Sequence, residues 1–245
     1  MIALRIASTL ALGCFVIAEA PAVRAQPRAV LELFTSQGCS SCPAADKLLG
    51  ELAKDPSLVA MTLAVDYWDY LGWKDTLALK GHTARQRGYA TARGDREVYT
   101  PQMVVNGVAH VLGSDRSAIE RGIAQSRKAA APLALEIKAS IAGDKLTVSV
   151  PAKDDNSSGE IWLCPITTSV PVKIGRGENR GHTVTYTNVV RRWTKLGEWN
   201  GKAQTLSVPL KDLQTGEIDQ VAVMVQSGSA AAPKVILGAT QVAVR

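Results

Sequence analysis

The first half of the chain alternates between short apolar runs and helical periodicity. Residues 30–34 and 58–65 are apolar runs typical of buried strands, and residues 43–54 between them have the spacing of an amphipathic helix. A strand, a helix and a strand of these lengths form a right-handed parallel unit, because such crossovers almost always take that hand. The carboxyl ends of both strands then meet at one edge of the sheet, where binding sites gather. The inner side of the helix is predicted to carry Ala44, Leu48, Leu49 and Leu52.

The pattern up to residue 128 predicts further elements of the same unit. Residues 68–96 are helical in pattern but weakly amphipathic, which predicts a helical insertion that covers the same edge of the sheet. Asn106-Gly107 between two apolar runs is a strong β-hairpin signal. Asp115 is placed to cap a last helix over residues 116–128. We therefore predict a first domain over residues 26–128.

From Pro132 onward the pattern changes to alternating and apolar runs separated by turn signals such as Asn200-Gly201. About seven strands of this kind predict an antiparallel β-sandwich over residues 129–245. Pro132 interrupts any continuation of the preceding helix, which places the linker near it. The runs cover residues 133–140, 145–150, 161–166, 183–193, 203–210, 220–226 and 234–244.

The first 25 residues have the features of an export signal. Arg5 precedes a nearly uncharged run over residues 6–18, and Val23-Arg24-Ala25 is a small-residue cleavage site. That run is too short to span a bilayer comfortably, and no later run is long enough. We expect a periplasmic or secreted protein without a stable membrane span, in an oxidising compartment. Cys14 is expected to be removed with the signal.

Composition excludes few function classes. The formal net charge is +6, with 28 Lys and Arg against 22 Asp and Glu. The basic residues are scattered rather than clustered with aromatic residues, so nucleic acid is not predicted as a partner. A hydrophobic content of 46% is ample for a packed core. The three histidines have no ligand spacing, and we predict no metal and no cofactor.

The chemistry is concentrated in Cys39 and Cys42, two residues apart where the first strand meets the first helix, which is the thioredoxin-like redox arrangement. Cys39 falls at the start of the helix, where free N–H groups and the helix dipole favour a thiolate, and it is predicted as the nucleophile. Cys42, one turn further in, is predicted to resolve the mixed disulfide. A structural disulfide or two inert thiols is the alternative. A zinc site is ranked well below, since the next ligands of the right type are His82 and His110.

Other polar positions have two interpretations each. Asp66, after the second strand, either takes part in the site as a proton acceptor or substrate contact, or caps the following helix. The glycine-rich stretch over residues 173–182 is either a long sandwich loop or a segment docked against the redox domain or a partner. Cys164 is predicted as a buried, inert thiol, with a second resolving thiol or an intermolecular bridge as alternatives.

Four motifs resemble a family of secreted bacterial proteins known as domain of unknown function 1223, within the thioredoxin-like superfamily. The resemblance extends over nearly the whole chain after the signal. It implies an α/β thioredoxin-like domain followed by an all-β antiparallel sandwich domain. The motifs are Phe34-Thr35-Ser36-Gln37-Gly38-Cys39-Ser40-Ser41-Cys42-Pro43, Val65-Asp66-Tyr67-Trp68-Asp69, Tyr99-Thr100-Pro101-Gln102 and Gly177-Glu178-Asn179.

The resemblance to the superfamily also implies roles. Cys39 resembles the attacking cysteine, Cys42 the resolving cysteine and Pro101 the cis-proline that faces the disulfide. The backbone of Thr100 is then free to pair with an extended substrate. Glu32 resembles a buried carboxylate that precedes the cysteines, but it stands one residue further from them than the pattern has. It is either a general base for Cys42 or a salt-bridged carboxylate at the sheet surface.

Together these features predict an exported thiol–disulfide oxidoreductase that acts on protein thiols or disulfides, or with a redox partner. Cys39 attacks, Cys42 resolves, and Glu32 or Asp66 moves protons. The alternative is a non-enzymatic periplasmic binding module in which Cys39 and Cys42 form a structural disulfide. The enzyme requires an exposed Cys39 with a lowered pKa, whereas the binding module is compatible with a buried bridge.

Overall fold

The computed structural model describes residues 26–213 and 217–244, so the predicted signal over residues 1–25, with Cys14, lies outside the described residues. Three α-helices and four strands come first in the chain, and eight strands follow. The first group is β1 Ala29–Thr35, α1 Cys42–Leu52, β2 Leu58–Ala64, α2 Lys80–Arg93, β3 Gln102–Val105, β4 Ala109–Leu112 and α3 Arg116–Ala130. The second is β5 Lys138–Ala142, β6 Lys145–Val150, β7 Gly159–Lys173, β8 Thr183–Val190, β9 Thr194–Trp199, β10 Gln204–Pro209, β11 Gln220–Ser229 and β12 Ala232–Ala243.

The strands form one large mixed sheet and one small antiparallel sheet. The large sheet has the order β12-β11-β7-β8-β2-β1-β3-β4, with β9 also paired to β7. Strands β1 and β2 are parallel as predicted, and β3 runs antiparallel to β1. The small sheet has the order β10-β6-β5. The protein is therefore a mixed α/β protein in which strands dominate the second half.

Strand β1 is buried on both faces, and its two faces contact different helices. Leu31 and Leu33 pack in one cluster with Leu49 of α1. Phe34 belongs to the opposite cluster, which includes Tyr89 of α2. A residue of β1 therefore faces α1 or α2 according to whether its number is odd or even, because side chains alternate along a strand.

Two local sequence signals are confirmed. Asn106 and Gly107 form the turn between β3 and β4 with φ angles of +52° and +75°, as an Asn-Gly hairpin turn requires. The Asp115 side chain accepts a hydrogen bond of 2.9 Å from the backbone N–H of Ala118 and so caps α3.

The predicted inner side of α1 needs a correction. Ala44 is exposed, whereas Ala45 and Asp46 are buried together with Leu49 and Leu52. The helix begins at Cys42, and its buried stripe follows that start at the helical spacing of three to four residues. This rotation turns the carboxyl of Asp46 into the protein.

The small sheet packs face to face on the part of the large sheet that contains β7 and β11, through residues such as Leu146, Val148 and Leu163. This arrangement agrees with the predicted antiparallel sandwich, but the large sheet also continues into the first half of the chain. Strand β8 pairs with β2 through Thr62 and Val189, so strands from both sides of the predicted boundary at residue 128 share one sheet.

The predicted strands of the second half also differ in length and number. Strand β7 has 15 residues, far more than the predicted run over residues 161–166. Its second half, outside the predicted run, contains Pro171, a residue type that argues against a central strand because it lacks a backbone N–H. Strand β7 pairs with β9 along its first half and with β8 along its second half. The predicted strand over residues 183–193 is β8, which ends at Val190, and β9 over Thr194–Trp199 was not predicted.

Candidate functional site

Cys39 and Cys42 form a disulfide at the start of α1, with a Cα–Cα distance of 5.4 Å. The N–H of Cys42 donates to the carbonyl of Cys39, which closes the loop that leads into the helix. The Ser41 hydroxyl lies 3.4 Å from the Cys39 sulfur. Cys39 is 1% exposed and Cys42 is fully buried, so the expectation of an exposed Cys39 is not met.

The loop between β7 and β8, residues 174–182, is hydrogen-bonded to residues 36–41, the loop that contains Cys39. We name these two segments the clamp loop and the cysteine loop. The Asn179 amide nitrogen donates two hydrogen bonds of 2.9 Å, to the carbonyls of Gln37 and Cys39. The Glu178 carboxylate accepts a hydrogen bond of 3.2 Å from the N–H of Ser40. Of the two interpretations of the glycine-rich stretch, docking against the cysteine region is confirmed.

Gln37 connects the cysteine loop to the segment that follows β2. Its backbone N–H donates to the Asp75 carboxylate at 2.8 Å, and its side-chain oxygen accepts from the Trp73 indole at 2.8 Å. The same Asp75 carboxylate accepts from the N–H of Leu77 at 2.8 Å. Burial raises the pKa of Asp75, and the backbone N–H of Gln37 lowers it in part. The loop before Cys39 is thus fixed to the segment that follows β2.

A buried carboxyl lies one helical turn beyond Cys42. Asp46 is 2% exposed, and within hydrogen-bonding geometry neither of its oxygens has a partner among the described residues. Burial raises the pKa of Asp46 to about 8; the neighbouring Thr35 hydroxyl lowers it in part, and the Asp75 carboxylate raises it. Residues four apart on a helix lie on the same face. The arrangement therefore holds a neutral carboxylic acid at pH 7 on the side of α1 that carries Cys42.

The segment predicted to face the disulfide connects to the cysteine loop through Trp68. The Thr100–Pro101 peptide bond is cis, as the resemblance implies. The Trp68 indole donates a 2.8 Å hydrogen bond to the Thr100 hydroxyl, and Trp68 also lies against Gly38. Thr100, Pro101 and the cysteine loop are thereby brought to the same edge of the sheet.

Asp66 lies at that edge as well, at the end of β2, and its carboxylate has a partner. The Thr83 hydroxyl of α2 donates to it at 2.5 Å, and the N–H of Asp66 donates to the same hydroxyl at 3.2 Å. This reciprocal pair ties the end of β2 to α2.

Glu32 lies in a buried network on the other face of β1. Its carboxylate pairs with Arg85 at 2.6 Å and accepts a hydrogen bond from the Tyr89 hydroxyl. Gln226 of β11 completes the network by accepting from Arg85 at 2.8 Å. Since even-numbered residues of β1 face α2, Glu32 points away from the side of the sheet that α1 covers. Of its two interpretations, the salt-bridged carboxylate is the one observed, but inside the core rather than at a surface.

Cys164 is fully buried in β7, as predicted, and contributes to the cluster that contains Phe34 and Tyr89. Burial raises the pKa of its thiol, which Arg85 lowers in part. A buried neutral thiol is a poor nucleophile, because the thiolate is the reactive form.

Sequence reasoning missed two residues of the site. Asp46 carried a detectable signal, because an acid between apolar positions of an amphipathic helix is unusual on the inner side. Asn179 carried a weaker one, its place in a family motif. Neither residue reveals its contacts locally, because the groups around each come from elsewhere in the chain.

Across the described ranges, 26–213 and 217–244, no group of three or more His, Cys, Asp and Glu side chains is placed to hold a metal ion. In that same part of the chain, no helix combines the length and apolar character that crossing a bilayer needs.

Comparison with known proteins identifies a family and a structural relative. The crystal structure of a protein from Agrobacterium tumefaciens, solved by a structural genomics consortium, is 32% identical to this chain, with a TM-score of 0.79. The similarity covers 89% of this chain and 94% of that one. Curated proteins give no match. The profile of the family described as "Protein of unknown function (DUF1223)" matches residues 30–226, and the chain belongs to this family.

Proposed function

We propose that this protein is an exported thiol–disulfide oxidoreductase whose redox centre is the Cys39–Cys42 disulfide. One observation carries the proposal. The disulfide stands at the start of helix α1, and the Asp46 carboxyl, which has no hydrogen-bond partner among the described residues, is buried one turn further along the helix. A buried carboxyl that makes no hydrogen bond of ordinary geometry costs stability, so it needs a reason to be present. Proton exchange with a neighbouring thiolate provides one, since a proton must move each time the disulfide opens or closes.

We also propose that residues 26–128 are a thioredoxin-like unit and that the protein works in the periplasm or outside the cell. The strand order β2-β1-β3-β4, with β3 antiparallel to β1, supports the first statement. The disulfide and the signal-like first 25 residues support the second, because disulfides persist in oxidising compartments.

The reaction begins when a thiolate of the partner protein attacks the Cys39 sulfur. A partner–Cys39 disulfide forms, the Cys39–Cys42 bond breaks, and its electron pair stays on the Cys42 sulfur. Asp46, protonated at neutral pH, gives its proton to that sulfur. A second partner thiolate then attacks the partner sulfur of the mixed disulfide, and Cys39 leaves as a thiolate. The partner dithiol is oxidised by two electrons and the protein disulfide is reduced; the reverse sequence reduces a partner disulfide.

The proposal assigns proton transfer to Asp46 rather than to Glu32 or Asp66, because both of those carboxylates accept hydrogen bonds from other side chains. The Ser41 hydroxyl, near the Cys39 sulfur, stabilises the Cys39 thiolate of the reduced protein. Thr100 and Pro101 keep their predicted role of holding an extended substrate segment.

The reduction potential of the Cys39–Cys42 pair tests the proposal. Mature protein is equilibrated in thiol buffers, quenched with acid, alkylated and analysed by mass spectrometry that separates Cys164 from the pair. We expect a value between about −120 and −270 mV, the range of known thiol–disulfide catalysts. A value below about −300 mV marks a structural bridge and refutes the enzyme. In a second arm, Asp46→Asn slows reduction by a thiol at neutral pH by at least about tenfold if Asp46 supplies the proton.

The burial of both cysteines favours a second candidate, a binding protein stabilised by a structural disulfide. The clamp loop and the Gln37 contacts fit that function too, because they make the bridge part of the core. A potential below about −300 mV, with no effect of Asp46→Asn on the reduction rate, identifies this candidate.

A further inference from the structure

The clamp loop is hydrogen-bonded to the backbone on both sides of Cys39, the residue that a substrate must reach. Its contacts fall on the backbone of three residues: the Asn179 amide donates to the carbonyls of Gln37 and Cys39, and the Glu178 carboxylate accepts from the N–H of Ser40. With these contacts in place the Cys39 residue is 1% exposed. A thiolate therefore reaches the Cys39 sulfur only after a local movement, and the clamp loop is the distant segment bonded to the backbone around it.

The conformation of the clamp loop is fixed by its own hydrogen bonds and by packing. Ile174 donates its N–H to the carbonyl of His182 at 2.9 Å, and Gly181 donates back to the carbonyl of Ile174 at 2.8 Å. Ile174 itself is fully buried. Gly175 packs on the Trp73 ring so closely that a Cβ there would lie 2.9 Å from Cζ3. The tip that carries Glu178 and Asn179 is thereby presented to the cysteine loop in one orientation.

The groups that the clamp loop covers are the ones that an extended peptide uses. Carbonyl oxygens accept from peptide N–H groups and an N–H donates to a peptide carbonyl, as in strand addition. The Asn179 amide takes the place of such N–H donors, and the Glu178 carboxylate takes the place of a carbonyl. A partner polypeptide can replace these hydrogen bonds as the clamp loop leaves, whereas a small thiol cannot.

We infer that Asn179 and Glu178 determine specificity in the proposed exchange reaction: they exclude small thiols from Cys39 and admit a partner protein that presents an extended segment beside its cysteine. The inference rests on the proposed function, because specificity has meaning only if Cys39 exchanges with partners. The chemistry at the sulfur atoms is the sequence already given, with the partner thiol as reductant.

The test measures the rate at which oxidised protein is reduced by dithiothreitol and by a ten-residue cysteine peptide, each sampled by acid quench and alkylation. Asn179→Ala removes two hydrogen bonds that only the closed loop makes, and we expect dithiothreitol to react about tenfold faster. The rate of reduction by the peptide increases by less than about threefold, because in the wild type the peptide already forms hydrogen bonds that replace those of Asn179. Arg180→Ala is the matched control, because this exposed neighbour makes no side-chain hydrogen bond or ion pair among the described residues. It leaves both rates unchanged.

Glu178→Ala is a second variant, and it should fold normally because Glu178 is exposed. We expect it to increase the rate of reduction by dithiothreitol about threefold. Equal rates in wild type and both clamp variants overturn the inference, whatever the reduction potential is. Equal gains for dithiothreitol and the peptide overturn the specificity statement. A wild-type potential in the structural range instead refutes the proposed function, whatever the rate ratio is, so the two failures are distinguishable.

Discussion

The stability of oxidised Asp46→Asn relative to the oxidised wild type is predicted to increase as the pH rises. Burial raises the pKa of Asp46 from 3.8 to about 8 in the folded protein. Between these two pH values the folded state holds the proton and the unfolded state has released it. Because the unfolded state then binds fewer protons, the free energy of unfolding falls as pH increases through that window. Asn has nearly the same shape and no proton to lose, so the variant escapes this loss.

The size of the effect follows from the pKa difference. One pKa unit corresponds to about 1.4 kcal/mol, so the wild type loses that much stability per pH unit across the window. The advantage of Asp46→Asn over the wild type should therefore grow by about 3 kcal/mol between pH 5 and pH 7.5. Any constant cost of burying the amide cancels in this difference.

Urea denaturation of oxidised protein at several pH values between 5 and 8.5 measures the effect. Asp154→Asn is the control, because it makes the same change of side chain at an exposed position. A difference between Asp46→Asn and the wild type that is flat over this range refutes the reasoning. It would mean that Asp46 is ionised in the folded protein, and the proposed proton donor would be lost with it.

Three further predictions concern the core. Glu32→Gln should destabilise the protein by about 3–5 kcal/mol in urea denaturation at pH 7, because it leaves the buried Arg85 guanidinium without its countercharge; a loss below about 1 kcal/mol contradicts the buried pair. Cys164 should react with a thiol reagent such as Ellman's only after denaturation, and Cys164→Ser should leave the potential of the disulfide unchanged; fast labelling of native protein would show that this thiol is accessible. Gly107→Ala should cost at least about 2 kcal/mol in thermal or urea unfolding, since φ is +75° there and a Cβ would meet the Lys234 carbonyl oxygen; an unchanged midpoint is inconsistent with that packing.

Local patterns in the sequence determined the elements around the cysteines. The apolar run before Cys39 is strand β1, the cysteine pair opens α1, and the Asn106-Gly107 signal marks the β3–β4 hairpin. Asp115 caps α3 as its position predicted. These features follow from short-range physics: side-chain periodicity, free N–H groups at a helix start and the φ angles that a turn requires.

Contacts between distant parts of the chain were decided only by the tertiary structure. Glu32 pairs with Arg85, 53 residues later, and the carbonyl of Cys39 is held by Asn179, 140 residues later. The pairing of β8 with β2 joins the two halves of the chain in one sheet, which strand patterns alone do not specify. The sequence pattern of one strand indicates which of its faces is apolar, but it does not indicate which strand will pair with it, since backbone hydrogen bonds are the same for every sequence.

Asp46 shows how both levels combine. The sequence contains an acid in an amphipathic helix, but whether it faces solvent or core depends on where the helix begins, and a shift of one residue rotates every side chain by about 100°. Packing of α1 against β1 and β8 fixes that rotation and removes water from the carboxyl. The sequence by itself determined that a cysteine pair stands at a strand–helix junction. The tertiary structure decided which carboxyl is buried one turn further along α1 and which loop is hydrogen-bonded around Cys39, because burial is a property of packed surfaces and not of one segment.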